Sequence, residues 1–208
     1  MAEMTVSRGL AELKLLDARI NRTINESVFG SYTEGKKLPA GFNSVEEVEK
    51  QAKSDLQSAK DLIKRRNEIK SAIVQSNAVT KIKVAGKEYT VAEAIERKSS
   101  IDYDIQLLNK LKHTYATLTS KVDRINEDVK QRLDSHLEAL YGKEGKNKAL
   151  ENAEIVKAFK EDNEAKLIDP INLKEKIDQL TKEIEDFEME VDHSLTTSNA
   201  ITTIEVSD

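Results

Sequence analysis

The sequence predicts a mainly α-helical protein: an elongated bundle of long amphipathic helices, similar to a coiled coil, with a small antiparallel β element. First, the chain has two prolines in 208 residues, and proline is the residue that most strongly breaks helices. Second, 38% of the residues are apolar and 4% are aromatic, which suits helices that bury a narrow stripe better than the core of a large enzyme. Third, apolar residues recur three or four positions apart along most of the chain, as on one face of a helix.

Composition excludes or disfavours several classes of protein. The chain has no cysteine, which excludes disulfides, thiol nucleophiles, iron–sulfur clusters and cysteine-based zinc sites. Its net charge of −5 argues against dedicated nucleic-acid binding. We find neither an apolar run long enough to span a membrane nor an apolar leader segment. We therefore expect a cytoplasmic protein that does not associate with membranes.

The first two helices are predicted over residues 6–27 and 44–76, joined by an ordered loop at residues 29–43. Ser44 can cap the second helix, and Glu47, three residues on, completes the pattern of a capping box. Both helices have a regular apolar stripe. The stripe is Leu10, Leu13, Leu16, Ile20 and Ile24 on the first helix, and Val48, Ala52, Leu56, Ala59, Leu62, Ile69 and Ile73 on the second.

A β-hairpin is predicted over residues 79–91, because apolar and polar residues alternate from Val79 to Val84. A type II′ turn at Gly86-Lys87, with glycine supplying the positive φ, would reverse the chain. In that register Val84 faces Tyr89 and Ile82 faces Val91, so that one face of the hairpin is apolar.

The third helix is predicted to be very long. Thr90 and Glu93 form a second capping box at its start, and neither proline nor glycine occurs before Gly142. About 50 residues at a rise of about 1.5 Å each correspond to roughly 75 Å. Its stripe shifts by one residue after Val129, which is a stutter. The stripe is Leu108, Leu111, Tyr115, Leu118, Val122, Ile125 and Val129, and then Leu133, Leu137 and Leu140.

Two further helices and a strand complete the prediction. A polar loop at residues 142–146 precedes a short helix at about residues 149–164. Asp169 followed by Pro170 indicates an N-cap and a first helical residue. The last helix has the stripe Leu173, Ile177, Leu180, Ile184, Phe187, Val191 and Leu195. Residues 201–206 alternate as a C-terminal strand, and residues 1–208 are treated as a single elongated domain.

A nine-residue segment occurs twice in the chain. Residues 76–84 and 198–206 share six identical positions out of nine, and each copy follows a long helix and begins a strand. We expect that both helices lead into one small sheet in the same way. The C-terminal strand would then pair with the hairpin, because an isolated hairpin is marginally stable in water. Pairing with another chain is the alternative.

The loop at residues 29–42 is the best candidate for ligand binding. It contains three of the nine aromatic residues, three of the seven glycines and two adjacent lysines. Aromatic rings can stack on a base and lysines can bind phosphate. The predicted ligand-binding residues are Tyr32, Lys36, Lys37 and Phe42 of the loop, with Arg65 and Arg66 of the second helix. The alternative is that the rings only pin the loop onto the helices.

Charge is distributed unevenly along the chain. Residues 29–89 contain 12 Lys or Arg and 8 Asp or Glu, whereas residues 161–192 contain 4 and 12. One interpretation is a solvated face with an electrostatically matched oligomer interface. The other is that the basic half receives an anion.

No arrangement of residues indicates catalysis. His113, His136 and His193 are far apart in the sequence and have no partner at a metal-ligand spacing. Asp102 and Asp104 are two positions apart on a helix and therefore point to different sides. We expect a protein that is not an enzyme and that holds no metal and no cofactor.

Residues 77–97 resemble the central signature of the septicolysin-like family. The shared pattern is a long helix, a strand with Asn and Thr, a glycine turn, and then Thr-x-x-Glu-Ala opening another long helix. The resemblance extends over residues 45–115. The name of that family implies a cytolysin, but the chain lacks the apolar segments of a pore. In general style the chain is also similar to small proteins of tailed bacteriophages, which implies a virion component or an early protein that blocks host defence.

The functional expectation combines these observations. We expect a non-enzymatic homo-oligomer, dimer or tetramer, that is encoded by a phage and acts in the host cytoplasm. It would sequester an anionic nucleotide-type molecule, such as a cyclic dinucleotide immune signal, in pockets between subunits. The alternative function is a structural or scaffolding component of a phage particle.

Overall fold

The computed structural model describes the backbone of residues 2–39, 41–150 and 153–207, and the side chains of residues 3–39, 41–142 and 154–207. Helices dominate these residues, and the strands are four residues long. In chain order the elements are β1 (Ala2–Thr5), α1 (Val6–Glu26), α2 (Val45–Val79), β2 (Lys81–Val84), β3 (Lys87–Thr90), α3 (Val91–Leu150), α4 (Ala153–Asn163), α5 (Leu173–Ile201) and β4 (Thr203–Val206). The predicted fold class, mainly α with a small antiparallel β element, is confirmed.

The chain forms two compact units, whereas the sequence predicts one elongated domain. Unit 1 comprises Met1–Ser99 and Asp186–Asp208, and unit 2 comprises residues 100–185. The long helices α3 and α5 each contribute residues to both units.

The core of unit 1 lies where α1 and α2 pack on the strand β4. Gly9 lies within α1 at this contact, and a Cβ atom there would be 3.2 Å from the Cδ1 atoms of Ile73 and Ile204. The missing side chain therefore lets α1 approach its neighbours closely. The buried residues of this core are Met4, Val6, Leu13, Leu16, Ile69, Ile73, Ile204 and Val206. Three residues of the predicted stripes are exposed instead: Leu10, Ile24 and Leu56.

The hairpin β2–β3 forms, but the predicted turn and register are wrong. Ile82 pairs with Tyr89 and Val84 with Lys87. The turn residues are Ala85 and Gly86, with φ of 50° and 73°, and two positive φ values define a type I′ turn, whose twist matches the strands. This register ends β3 one residue earlier than predicted, which leaves the next residue to begin α3.

The second prediction about the sheet is also wrong, because β4 does not pair with the hairpin. It pairs in antiparallel fashion with the N-terminal strand β1, and Met4 lies opposite Ile204. The described residues therefore form two separate two-stranded sheets, β1–β4 and β2–β3. Strand β3 of one sheet and strand β4 of the other both contact α2, so each sheet packs on a helix.

The repeated segment has the same local structure in both copies. The N–H of Thr80 donates to the carbonyl of Ser76 at 2.9 Å, and the N–H of Thr202 donates to that of Ser198 at 2.9 Å. The next connection also repeats: Val91 at the start of α3 donates to the carbonyl of Thr80 at 2.9 Å. Val6 at the start of α1 donates to the carbonyl of Thr202, again at 2.9 Å. The expectation that both long helices lead into a strand in the same way is confirmed, although each leads into its own sheet.

Unit 2 contains α3 from Ser100 to its end, α4 and the first part of α5. Leu133 and Leu137 are buried against Ile155, Val156 and Phe159, as the predicted stutter requires. Leu140, the next member of the shifted stripe, is exposed.

Two boundaries in unit 2 differ from the prediction. The expected loop at residues 142–146 is reduced to a break at Gly142, where φ is 68°, and the backbone on both sides is helical. Helix α5 begins at Leu173 rather than at Pro170. Asp169 still satisfies a backbone N–H at the start of this helix, because its Oδ2 accepts a hydrogen bond from the N–H of Leu173 at 2.8 Å.

Candidate functional site

The loop between α1 and α2 is held at its two ends. The N–H of Val28 donates to Oδ2 of Asp55 at 2.8 Å, and the side chain of Gln51 donates to Oδ1 of the same carboxylate at 2.8 Å. At the other end the N–H of Asn43 donates to Glu47 at 2.8 Å. Both ends of the loop are thus bound to the first turns of α2.

The middle of the loop contains a tight turn that presents one of the candidate lysines. The backbones of Glu34 and Lys37 exchange two hydrogen bonds of 2.9 and 3.1 Å. Gly35, at the first central position, has φ of 61°, as a type II′ turn requires. Lys36 is therefore at the tip of the turn, next to Lys37, and both side chains are exposed. Within the described part of the chain neither lysine forms an ion pair.

Two of the three aromatic rings of the loop are open to solvent. Phe29 is 51% exposed and Tyr32 is 65% exposed, whereas Phe42 is half-buried. Burial of an aromatic ring is strongly favourable, so a ring that pins a loop is expected to be covered. Of the three rings, only Phe42 is buried enough to fit the alternative that the rings merely pin the loop onto the helices. The rings of Phe29 and Tyr32 remain available to a ligand.

Arg65 and Arg66 lie elsewhere in unit 1. Arg65 lies 20 residues after the start of α2, which corresponds to about 30 Å along the helix. Its Nε is 3.1 Å from Oε1 of Glu12, and the Nε of Arg66 is 2.6 Å from Oδ1 of Asp17. Arg65 also donates to the carbonyl of Ser207. Within one chain the two arginines therefore join α2 to α1, whereas Tyr32, Lys36, Lys37 and Phe42 lie in the loop between these helices.

A groove in unit 1 was not anticipated from the sequence. It has a volume of about 350 Å³ and lies where β2 meets α5. Ser198, a polar residue with only 6% exposure, lies in its wall. The other lining residues are Thr80, Lys81, Ile82, Lys83, His193, Ser194, Thr197, Ile201 and Thr202. The repeated segment is the signal that could have located it, because both copies contribute to the lining.

Much of the polar chemistry of this groove is already used within the chain. Nζ of Lys81 is 2.7 Å from Oε1 of Glu88, which raises the pKa of the lysine and lowers that of the carboxylate. The hydroxyl of Ser194 donates to the carbonyl of Lys83 at 2.9 Å. The groove is therefore a weaker candidate for anion binding than the loop.

The candidate catalytic and metal-binding groups do not converge in the part of the chain that the structure describes. His136 stacks on Phe159 with the ring centres 6.0 Å apart, and His193 lies at the groove. No three His, Asp or Glu side chains among the described residues are placed to hold a metal ion. Among these residues we also find no helix that is both long and apolar enough to cross a membrane.

Comparison with known protein families, with curated proteins and with solved structures found no match. The loop, the charges and the helix surfaces of this chain are therefore the features from which a function can be inferred. The resemblance of residues 45–115 to the septicolysin-like family and the similarity to phage proteins stay predictions.

Proposed function

We propose that this protein is a non-enzymatic, homo-oligomeric binding protein that sequesters an anionic nucleotide-type molecule, with a cyclic dinucleotide immune signal as the leading ligand class. The single observation that supports the proposal is the exposure of aromatic rings and lysines together in the loop of residues 29–42. Encoded by a phage, such a protein would act in the host cytoplasm by removing a defence signal.

The rings supply the affinity for bases. Tyr32 and Phe29 are more than half exposed in a chain with nine aromatic residues. Stacking of a base on an aromatic side chain contributes about 1–3 kcal/mol per base in single-stranded nucleic-acid binding. A cyclic dinucleotide presents two bases, so two rings in one loop match its composition.

The lysines supply the affinity for phosphate. Lys36 and Lys37 are adjacent and exposed, and the type II′ turn keeps their backbone in a defined conformation. Lysine binds phosphate as a point charge. Arg65 and Arg66 would reach the same ligand from a neighbouring subunit, since within one chain they are bound to α1.

Titration calorimetry with cyclic dinucleotides and adenine–ribose signals tests the proposal. We expect micromolar or tighter binding of at least one ligand. Tyr32→Ala should weaken binding by about 1–3 kcal/mol, because the stacking surface is lost. Tyr103→Ala is the matched control, since Tyr103 is a 75% exposed ring on α3. It should bind like the parent.

A second pair of variants tests the phosphate contact. Lys36→Ala/Lys37→Ala should weaken binding more at low than at high salt, because salt already screens the attraction in the parent. Lys110→Ala/Lys112→Ala removes the same charge from exposed positions of α3 and is expected to have no effect. If a ligand binds and the loop variants bind it equally well, the site lies elsewhere and the loop assignment is wrong.

The alternative function is a scaffolding component of a phage particle. The observation that favours it is that the middle of the α3 stripe is only half-buried within one chain, as it would be if a helix of another chain covered it. These residues are Leu111, Tyr115, Leu118, Val122 and Ile125. If no nucleotide binds at micromolar concentration, this function becomes the better interpretation.

A further inference from the structure

The two sheets of unit 1 are equivalent in register and burial. Lys81 pairs with Thr90 in one sheet, and Thr203 pairs with Thr5 at the matching position of the other. The two strands that contain the repeated segment, β2 and β4, have their apolar residues on the buried side. These residues are Ile82 and Val84 in β2 and Ile204 and Val206 in β4. The residues between them are exposed in both sheets, and the difference between the sheets lies in the charges of those exposed residues.

The exposed face of the hairpin is basic and internally paired. Lys81 and Lys83 are exposed on β2, and Glu88 is exposed on β3. Glu88 lies directly opposite Lys83 and forms an ion pair with Lys81 at 2.7 Å. Glu93 at the start of α3 also attracts Lys81, so Lys83 is the lysine of this face that forms no ion pair among the described residues.

The equivalent face of the terminal sheet has two carboxylates and no cation. Glu3 lies directly opposite Glu205, and both are exposed. Like charges at directly opposed positions of an antiparallel pair are destabilising. Among the residues that the structure describes, no Lys, Arg or His forms an ion pair with either carboxylate. The exposed face of the β1–β4 sheet is therefore acidic and forms no ion pair with a described cation, whereas the matching exposed positions of β2 carry lysines.

We propose that a second copy of this chain supplies the cations: the exposed face of the β2–β3 hairpin of one copy docks on the exposed face of the β1–β4 sheet of another. Lys83 of the first copy lies against Glu3 and Glu205 of the second. Because the two surfaces are different, the contact is heterologous, and a docked pair still has one free surface of each kind, the sheet of the first copy and the hairpin of the second.

An exposed apolar residue precedes each of the two strands β2 and β4. Val79 and Ile201 occupy the same position of the repeated segment, two residues before β2 and β4. They are 75% and 76% exposed, although each belongs to a residue type that usually becomes buried. Docking of one sheet on the other covers apolar surface beside the charges.

Sedimentation velocity with charge-reversed variants tests this proposal. The parent should form species larger than the 23.4 kDa chain at about 0.01 M salt, and these should become smaller at about 1 M salt, where charges are strongly screened. Lys83→Glu alone and Glu205→Lys alone should each lose the salt-sensitive association. Lys110→Glu reverses an exposed charge on α3 outside both sheets and should keep it.

Mixing the variants gives the decisive result. Lys83→Glu keeps the acidic sheet and Glu205→Lys keeps the basic hairpin, and the two reversed positions are also complementary to each other, so an equimolar mixture should regain the larger species that neither variant forms alone. The double variant Lys83→Glu/Glu205→Lys should recover the larger species. Lys83→Gln and Glu205→Gln replace any reversal that fails to fold, as checked by circular dichroism, and each should reduce the association. Unchanged association in the single variants, or a parent that does not respond to salt, overturns the proposal.

Discussion

At the scale of single residues, the start of α3 shows how neighbouring side chains satisfy a helix end. The N–H of Glu93 donates to Oγ1 of Thr90 at 3.1 Å, and the N–H of Thr90 donates to Oε2 of Glu93 at 2.7 Å. This reciprocal cap was predictable because its partners are three residues apart. The ion pair of Arg65 with Glu12 joins residues 53 positions apart, and no local pattern identifies such a partner.

The cap also makes stability depend on pH. Hydrogen bonds from Thr90 lower the pKa of Glu93 below its ordinary value of 4.5, and Lys81 lowers the pKa of Glu88 in the same direction. A carboxylate whose pKa is lower in the folded chain stabilises folding above its unfolded pKa, and this contribution is lost as the pH falls through the folded pKa. The free energy of unfolding should therefore fall as the pH drops below about 5 and through the lowered pKa values of these two carboxylates.

Chemical denaturation over this pH range provides the measurement. Glu93→Gln keeps a hydrogen-bonding side chain at the cap but removes the titration, so its loss of stability on acidification should be smaller than that of the parent. Glu96→Gln, at an exposed position one turn further along, is the matched control. An identical pH dependence in Glu93→Gln and the parent would contradict the assignment.

At the scale of elements, β4 shows what the repeated segment could and could not predict. The alternation of its residues identified the strand, and the match to residues 76–84 identified its connection to the preceding helix. Its partner could not be predicted, because β1 has four residues with one large apolar side chain, Met4, and lies at the other end of the chain. The hairpin register failed for a related reason, since a two-residue turn can be placed one position apart without changing which side chains share a face.

The charges of the helices distinguish the two copies of the repeat. When the alignment of residues 76–84 with 198–206 is continued at the same offset into the preceding helices, Lys64 corresponds to Asp186, Arg66 to Glu188 and Lys70 to Asp192. On α2 the guanidinium group of Arg66 forms an ion pair with Asp17 of α1. On α5 the carboxylate of Asp192 forms an ion pair with Lys98 of α3. Because these charges have opposite signs, α2 is favoured beside α1 and α5 beside α3. An exchange of the two helices would place like charges together.

The packing of β4 gives a prediction at this scale. Ile204 is 5% exposed and belongs to the core with α1 and α2. Ile204→Ala should lower the free energy of unfolding by about 2–5 kcal/mol, because it removes buried apolar surface and leaves a cavity. Thr203→Ala, at the exposed neighbouring position of the strand, should change it by less than about 0.5 kcal/mol. Equal unfolding midpoints for the two variants would show that β4 is not part of the core.

At the scale of the whole molecule, the division into two units was not predictable. Helices α3 and α5 pass from one unit to the other at residues 99–100 and 185–186, and the sequence has no proline or glycine at either place. The composition of the candidate loop could be read directly from the sequence. The exposure of Tyr32 and Phe29 could not, because it depends on which helix surfaces lie beside the loop.

A protein that sequesters its ligand holds it without changing it, and recovery of the bound ligand measures both properties. The protein is incubated with a cyclic dinucleotide, freed of unbound ligand by gel filtration, denatured and analysed by mass spectrometry. We expect the ligand to elute with the protein and to be released chemically intact even after long incubation. A ligand that elutes separately, or one that is released as a cleaved product, would overturn the proposed function.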